Sequence, residues 1–115
     1  MDSFEEKIPE FLQLKSHSDI SEILDEISLF VKKNGGTVST HQVRRIYNEV
    51  KKAENRIALQ LLRPKIVYTI ARNKEDYFLS SLEKVIREVK DDPQVPDCIT
   101  FFESVVAYHK FHHNK

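Results

Sequence analysis

The sequence predicts an all-α, single-domain helical bundle of about five helices, on three observations. Only two glycines occur, adjacent at Gly35 and Gly36, in a chain otherwise rich in Leu, Ile, Lys and Glu, which favour helix over strand. Apolar residues recur at the 3, 4, 7 spacing of one helix face in successive segments, and no segment alternates as a strand does. At 115 residues, 40% apolar and 31% charged, the chain suits one modest, well-solvated core.

Residues 1–17 read as an N-terminal extension with a short helical or turn segment around "IPEFLQLK", limited by Pro9, and residues 18–115 as the bundle domain. A first helix starts at Ser18 or Asp19, either a good N-cap, with Glu22 in the first turn. Ile20, Ile23, Leu24, Ile27, Phe30 and Val31 form its buried face. Lys32 and Lys33 fall in its last turn and "NGG" ends it with a left-handed cap. In "VSTHQV", Ser39 is the next N-cap, Gln42 its reciprocal partner and Val38 against Val43 a hydrophobic staple. Val43, Ile46, Tyr47, Val50, Ile57 and Leu61 continue one apolar face. If that helix runs unbroken to Arg63, then Arg45, Lys52, Arg56 and Arg63 form one basic ridge about 27 Å long opposite it. Glu54 falls on the apolar side, which marks 53–56 as the place for a bend or restart.

Pro64 sits between Arg63 and Lys65 in "LLRPKIVYTIARN". Proline is tolerated at a first helical position and disfavours helix in the residue before it, so Arg63–Pro64 is a joint. The new helix buries Ile66, Val67, Ile70 and Ala71 and carries Lys65, Tyr68 and Arg72, three and four residues apart, on its other side. A further helix spans roughly 75–90, with Phe78, Leu82, Val85, Ile86 and Val89 inward and acids outward. "DDPQVPD" is a loop centred on 91–96, and the last helix, "DCITFFESVVAYHKFHH", buries Ile99, Phe102, Val105, Val106 and Tyr108 or His109.

Net charge is zero but unevenly distributed. Residues 1–30 hold eight acids against Lys7 and Lys15; residues 41–74 hold nine bases against Glu49 and Glu54; residues 75–97 hold seven acids against three bases. A basic middle between acidic flanks points to a localised surface for a polyanion, set against a solvated mixed-charge surface with no partner. The interleaved Lys65, Tyr68 and Arg72 suit nucleic acid, with cations for phosphates and an aromatic ring for a base or a 2′-hydroxyl.

Little points to chemistry. No phosphate-cradling glycine loop, nucleophile elbow or metallohydrolase pattern occurs, so neither an enzyme nor a cofactor is expected. His109, His112 and His113 share a helix side, but no cysteine or paired carboxylate accompanies them, and they read as exposed or core-edge histidines rather than metal ligands. Cys98 reads as a small apolar residue; a lone cysteine excludes an internal disulfide and fits a reducing cytoplasm. The acidic start is unlike a signal peptide, and no apolar run approaches a membrane span.

Three stretches together resemble the small subunit of the type III-A CRISPR effector, the Csm complex. They are "STHQVRRIYNEV" with Val43–Arg44; "LLRPKIVYTIAR" with Leu62, Arg63, Lys65, Tyr68 and Arg72; and "FFESVVAYHKFH", whose matching signature runs from Phe102 to Phe111. In order and spacing they cover most of residues 39–112. The resemblance implies a non-catalytic, RNA-binding helical subunit that stacks in several copies along guide RNA paired with target RNA. It also implies contacts with the complex's backbone subunits and its large signalling subunit. Carried over, Arg44, Lys65, Arg72 and Tyr68 are RNA contacts, whereas Arg45, Lys52, Arg56 and Arg63 come from the ridge. Ala71 stands where many members have glycine, which disfavours close backbone approach there. The stretch around Tyr108 is expected to serve core and subunit contacts.

Two other readings make different predictions. Helix, glycine turn and helix, with Ser39, Thr40, Gln42, Arg44 and Arg45 opening the second, resemble a helix-turn-helix DNA-binding regulator, although "NGGTVS" exceeds the usual tight turn. Such a regulator binds duplex DNA by sequence. A helical adaptor for proteins alone binds no nucleic acid.

Overall fold

The computed structural model describes residues 3–14, 19–74 and 76–113, and among these residues are seven α-helices and no strand. They are α1 (Ser3–Phe11), α2 (Ile20–Asn34), α3 (Thr40–Val50), α4 (Arg56–Gln60), α5 (Arg63–Arg72), α6 (Tyr77–Arg87) and α7 (Val95–His113). The all-α expectation holds. The two helices beyond five are α1 and the product of a break that divides the expected 39–63 helix into α3 and α4. No helix among the described residues is long and apolar enough to cross a membrane.

α7 organises the core. Val95, Cys98, Phe101, Phe102, Val105 and His109 are all buried, and α2 and α3 lie along it. Phe101 and Phe102 are neighbours, hence about 100° apart on the helix, and both are fully enclosed, so α7 is covered on more than one side. α6 supplies Phe78, Leu79, Leu82, Val85 and Ile86 to the same core, while α4 and α5 pack on α6.

α1 also belongs to this core. It runs through Pro9, so the helical segment begins earlier in sequence than expected and ends at Phe11. Phe4, Ile8, Phe11, Leu12 and Leu14 are all buried. Phe11 stacks on Phe101 at 5.0 Å between ring centroids, and Phe4 on Phe30 at 4.1 Å. Glu5 accepts a bond from Lys84 of α6.

The caps largely follow the sequence. Asp19 accepts from the Glu22 N–H at 3.2 Å; Ser18, the other candidate, lies outside the described residues, as does Glu75. The capping box at α3 is complete, with Ser39 Oγ accepting from the Gln42 N–H at 3.1 Å and Gln42 Oε1 accepting from the Ser39 N–H at 3.2 Å. "NGG" does end α2, but through a 3₁₀ turn over Gly35–Thr37 with Gly35 at φ −83°, so no left-handed cap forms. Gly35 is instead a place of close approach: a Cβ there would stand 3.0 Å from the His109 ring.

The break between α3 and α4 has a clear cause. A continuous helix would turn Glu54 toward the core; stopping at Val50 leaves Glu54 exposed, and Asn55 starts α4 afresh by accepting from the Ala58 N–H at 2.8 Å. The restart rotates the buried face to Ala53 and Leu59, leaving Ile57 and Leu61, expected inside, 69% and 70% exposed. α5 then begins at Arg63 with Pro64 in its first turn, so the expected joint exists, at Leu61–Leu62. On α5, Ile66 is buried and Ile70 partly so, whereas Val67 and Ala71 face solvent, contrary to expectation. On α2, Ile20 is likewise exposed. On α6, the acids-outward expectation fails at Glu83, which is buried.

Candidate nucleic-acid interface

The eight basic and aromatic candidates fall into three places rather than on one ridge. Arg45 and Lys52 of the α3 segment and Lys65, Tyr68 and Arg72 of α5 line one open groove of about 930 Å³ between the two helices. Its polar lining also includes Gln42, Asn48, Thr69 and Asn73, and its one carboxylate is Glu49. Glu49 lies 3.7 Å from the Lys52 ammonium and 3.6 Å from that of Lys65, loose and exposed pairs that leave the groove with an excess of three positive charges. Tyr68 is 65% exposed, an unusual position for a tyrosine on a packed helix, and the Arg72 guanidinium lies 5.8 Å from its ring centre. The pair presents a cation and an aromatic face side by side.

Arg56 and Arg63 sit elsewhere, turned away by the break after Val50. The Arg63 guanidinium donates to Glu83 Oε2 at 2.9 Å, and Arg87 donates to Glu83 Oε1 at 2.8 Å. With the Glu83 side chain only 3% exposed, these two arginines hold a buried charge that would be costly alone. Arg56 donates through Nε to the Val89 carbonyl at 2.9 Å, and its backbone N–H to Asp92 at 2.8 Å. Gln60 reaches the Ile86 carbonyl at 2.8 Å. The polar side of α4 therefore bonds groups at and just beyond the C-terminal end of α6, which a hydrophobic-pattern reading does not foresee. The continuous ridge of Arg45, Lys52, Arg56 and Arg63 is thus corrected to two separate pairs.

Arg44 lies beyond the groove, in a recess with His41, Lys110 and His113. The opening of α3 is otherwise committed internally. Ser39 and Gln42 satisfy each other's backbone, and the Thr40 hydroxyl lies 2.7 Å from His109 Nδ1.

The three terminal histidines fasten α7 to α2. His109 Nε2 lies 2.7 Å from the Gly35 carbonyl and His113 Nε2 2.9 Å from that of Val31. A carbonyl only accepts, so both Nε2 atoms carry the proton, and His109 Nδ1 accepts from Thr40. His112 Nε2 pairs with the Ser28 hydroxyl at 2.9 Å. Among the described residues no group of histidine, cysteine and carboxylate side chains is placed to hold a metal ion. Cys98 is fully buried, and burial pushes its thiol up to about 12.

Burial also lowers the His109 pKa; the Gly35 bond opposes this and nearby His113 adds to it. The native state therefore resists a proton that the unfolded chain accepts near pH 6.5. This contribution to stability is complete above about pH 6.5 and is lost as pH falls toward the lower native value. We expect the denaturation midpoint to fall between pH 7.5 and 5.5, above the carboxylate range, and the fall to shrink in His109→Gln. A flat profile, or the same slope in the variant, would show that His109 does not carry it.

Compared with known proteins, the chain matches the family model described as Csm2 Type III-A over residues 15–115. No curated protein and no solved structure matches it.

Proposed function

The chain belongs to the Csm2 type III-A family, the small subunit of the CRISPR Csm complex, and from that premise we propose that it is a non-catalytic, sequence-independent RNA-binding subunit. In this reading, copies stack along the guide–target RNA duplex in the cytoplasm, beside the backbone subunits and the large signalling subunit. The groove between α3 and α5 carries the proposal. It brings Arg45 and Lys52 together with Lys65, Tyr68 and Arg72, although the two sets come from separate arguments in sequence. Four cations facing one carboxylate suit phosphates, and an exposed tyrosine suits a base or a 2′-hydroxyl. Arg44 is a further contact outside the groove. Arg56 and Arg63, tied to α6, act through the fold.

The non-catalytic reading is supported by two observations: the Cys98 thiol is buried, and the three terminal histidines are spent on carbonyls and hydroxyls. A helix-turn-helix reading has weaker support, because Ser39, Thr40 and Gln42 are engaged within the protein.

A salt titration tests the proposal. If the four groove cations each meet a phosphate, log Kd for single-stranded RNA changes with log salt by a slope of about 3, equally for unrelated sequences. Preference for one duplex DNA sequence would favour the regulator. Salt-independent or absent binding would favour a protein-only adaptor.

A further inference from the structure

Arg44 and Lys110 belong to two of the three stretches that carry the family resemblance, and they are far apart in sequence. The fold places both in one recess of about 720 Å³, between the connection before α3, α3 itself and the last turn of α7. His41 and His113 also line it, and none of its lining residues is a carboxylate. Both Arg44 and Lys110 are exposed, and among the described residues neither has an ion-pair partner. The helix dipole favours a cation at Lys110, at the C-terminal end of α7, but not at Arg44, which follows the first turn of α3. Ion pairing and the dipole therefore leave Arg44 unexplained. Asp76, the carboxylate behind the Thr37 wall, is engaged by the Thr37 hydroxyl and the Leu79 N–H, and cations gathered with no paired acid are stabilised when an anion enters.

We infer that this recess is a second RNA-phosphate site, in which the planar Arg44 guanidinium and the Lys110 ammonium hold one backbone phosphate. The inference rests on the RNA-binding reading above. Arg44 and Arg45 are consecutive on α3, one in the recess and the other in the groove. Bound RNA thus crosses α3 rather than lying wholly between α3 and α5. Lys110, assigned by its sequence context to core and subunit contact, becomes an RNA ligand.

The test uses the full chain, labelled RNA of unrelated sequences and anisotropy titrations at several salt concentrations. Lys110→Glu should weaken binding at least fivefold at about 0.1 M salt and reduce the salt slope by about 0.7, with the melting temperature within about 5 °C of the wild type, the small cost expected from the helix dipole. Lys90→Glu, before the other end of α7, controls for net charge and should stay within about twofold. Should Lys110→Glu bind like the wild type while the groove variants weaken, the recess is refuted and the groove reading stands. Equal losses from Lys110→Glu and Lys90→Glu would also refute it, as an effect of overall charge. If Lys110→Glu lowers the melting temperature by more than that, Lys110→Gln at matched stability decides: a threefold loss supports the site, and wild-type affinity refutes it. No binding by the wild-type chain removes both readings.

Discussion

Reversing Lys65 and Arg72 together to Glu should weaken RNA binding by about 25-fold at 0.1 M salt and leave the fold intact. Two lost phosphate contacts reduce the salt slope by about 1.4 for single strands, which is about 25-fold at that concentration. Reversal adds repulsion, so this figure is a lower bound. The loss should be uniform across unrelated sequences, because phosphates carry no sequence. Stability should barely move, for reasons visible around each residue. Lys65 gives up a 3.6 Å exposed pair with Glu49, worth well under about 1 kcal/mol. Lys65 also lies in the first turn of α5, where a carboxylate suits the helix dipole better than an ammonium. Arg72 lies in the last turn, where the preference is the opposite, and it gives up its contact with Tyr68. The two dipole changes oppose each other, leaving a net change of about 1 kcal/mol or less. Unchanged affinity in a folded double variant would move RNA binding away from the groove. Unfolding would show that the pair is structural.

The fold was legible in sequence wherever a local rule acted alone. Asp19, the Ser39–Gln42 capping box and the proline restart are short-range chemistry, and each formed within a residue or so of its expected place. Patterns extended across a break failed. Ile57 and Leu61 fit the apolar face of an unbroken helix, but the restart at Asn55 turned them outward. The same restart took Arg56 off the ridge to the Val89 carbonyl just beyond α6, and Arg63 to a buried Glu83. Glu54, on the wrong side of the helical wheel, was the available signal. The local i,i+4 pairing of Glu83 with Arg87 did not by itself announce burial, because the second partner, Arg63, reaches Glu83 from α5. For the candidate site, sequence could nominate cations but not sort them. Which ones share a groove depends on how α5 returns against α3, a tertiary fact with no short-range signature.

Phe11→Ala should destabilise the protein by about 3–5 kcal/mol, the usual cost of truncating a buried aromatic side chain. Residues 1–17 read in sequence as an extension, and the family model begins at residue 15, so an appendage would tolerate this change. The packing predicts otherwise. Phe11 is 1% exposed, 5.0 Å from the Phe101 ring centre and 5.3 Å from that of Phe4. Its loss opens a void against α7, the helix on which α2 and α3 are assembled. For a chain of this size each kcal/mol moves the melting temperature by several degrees, so the expected drop exceeds about 10 °C. RNA affinity at a temperature where the variant is folded should match the wild type, because the α3–α5 groove contains no residue of α1. A melting temperature within about 2 °C of wild type would show α1 to be dispensable, with the core closed by residues 19–113 alone. A large thermal loss with intact RNA binding makes α1 a structural part of the bundle, packed on α7 although the family match begins only after it.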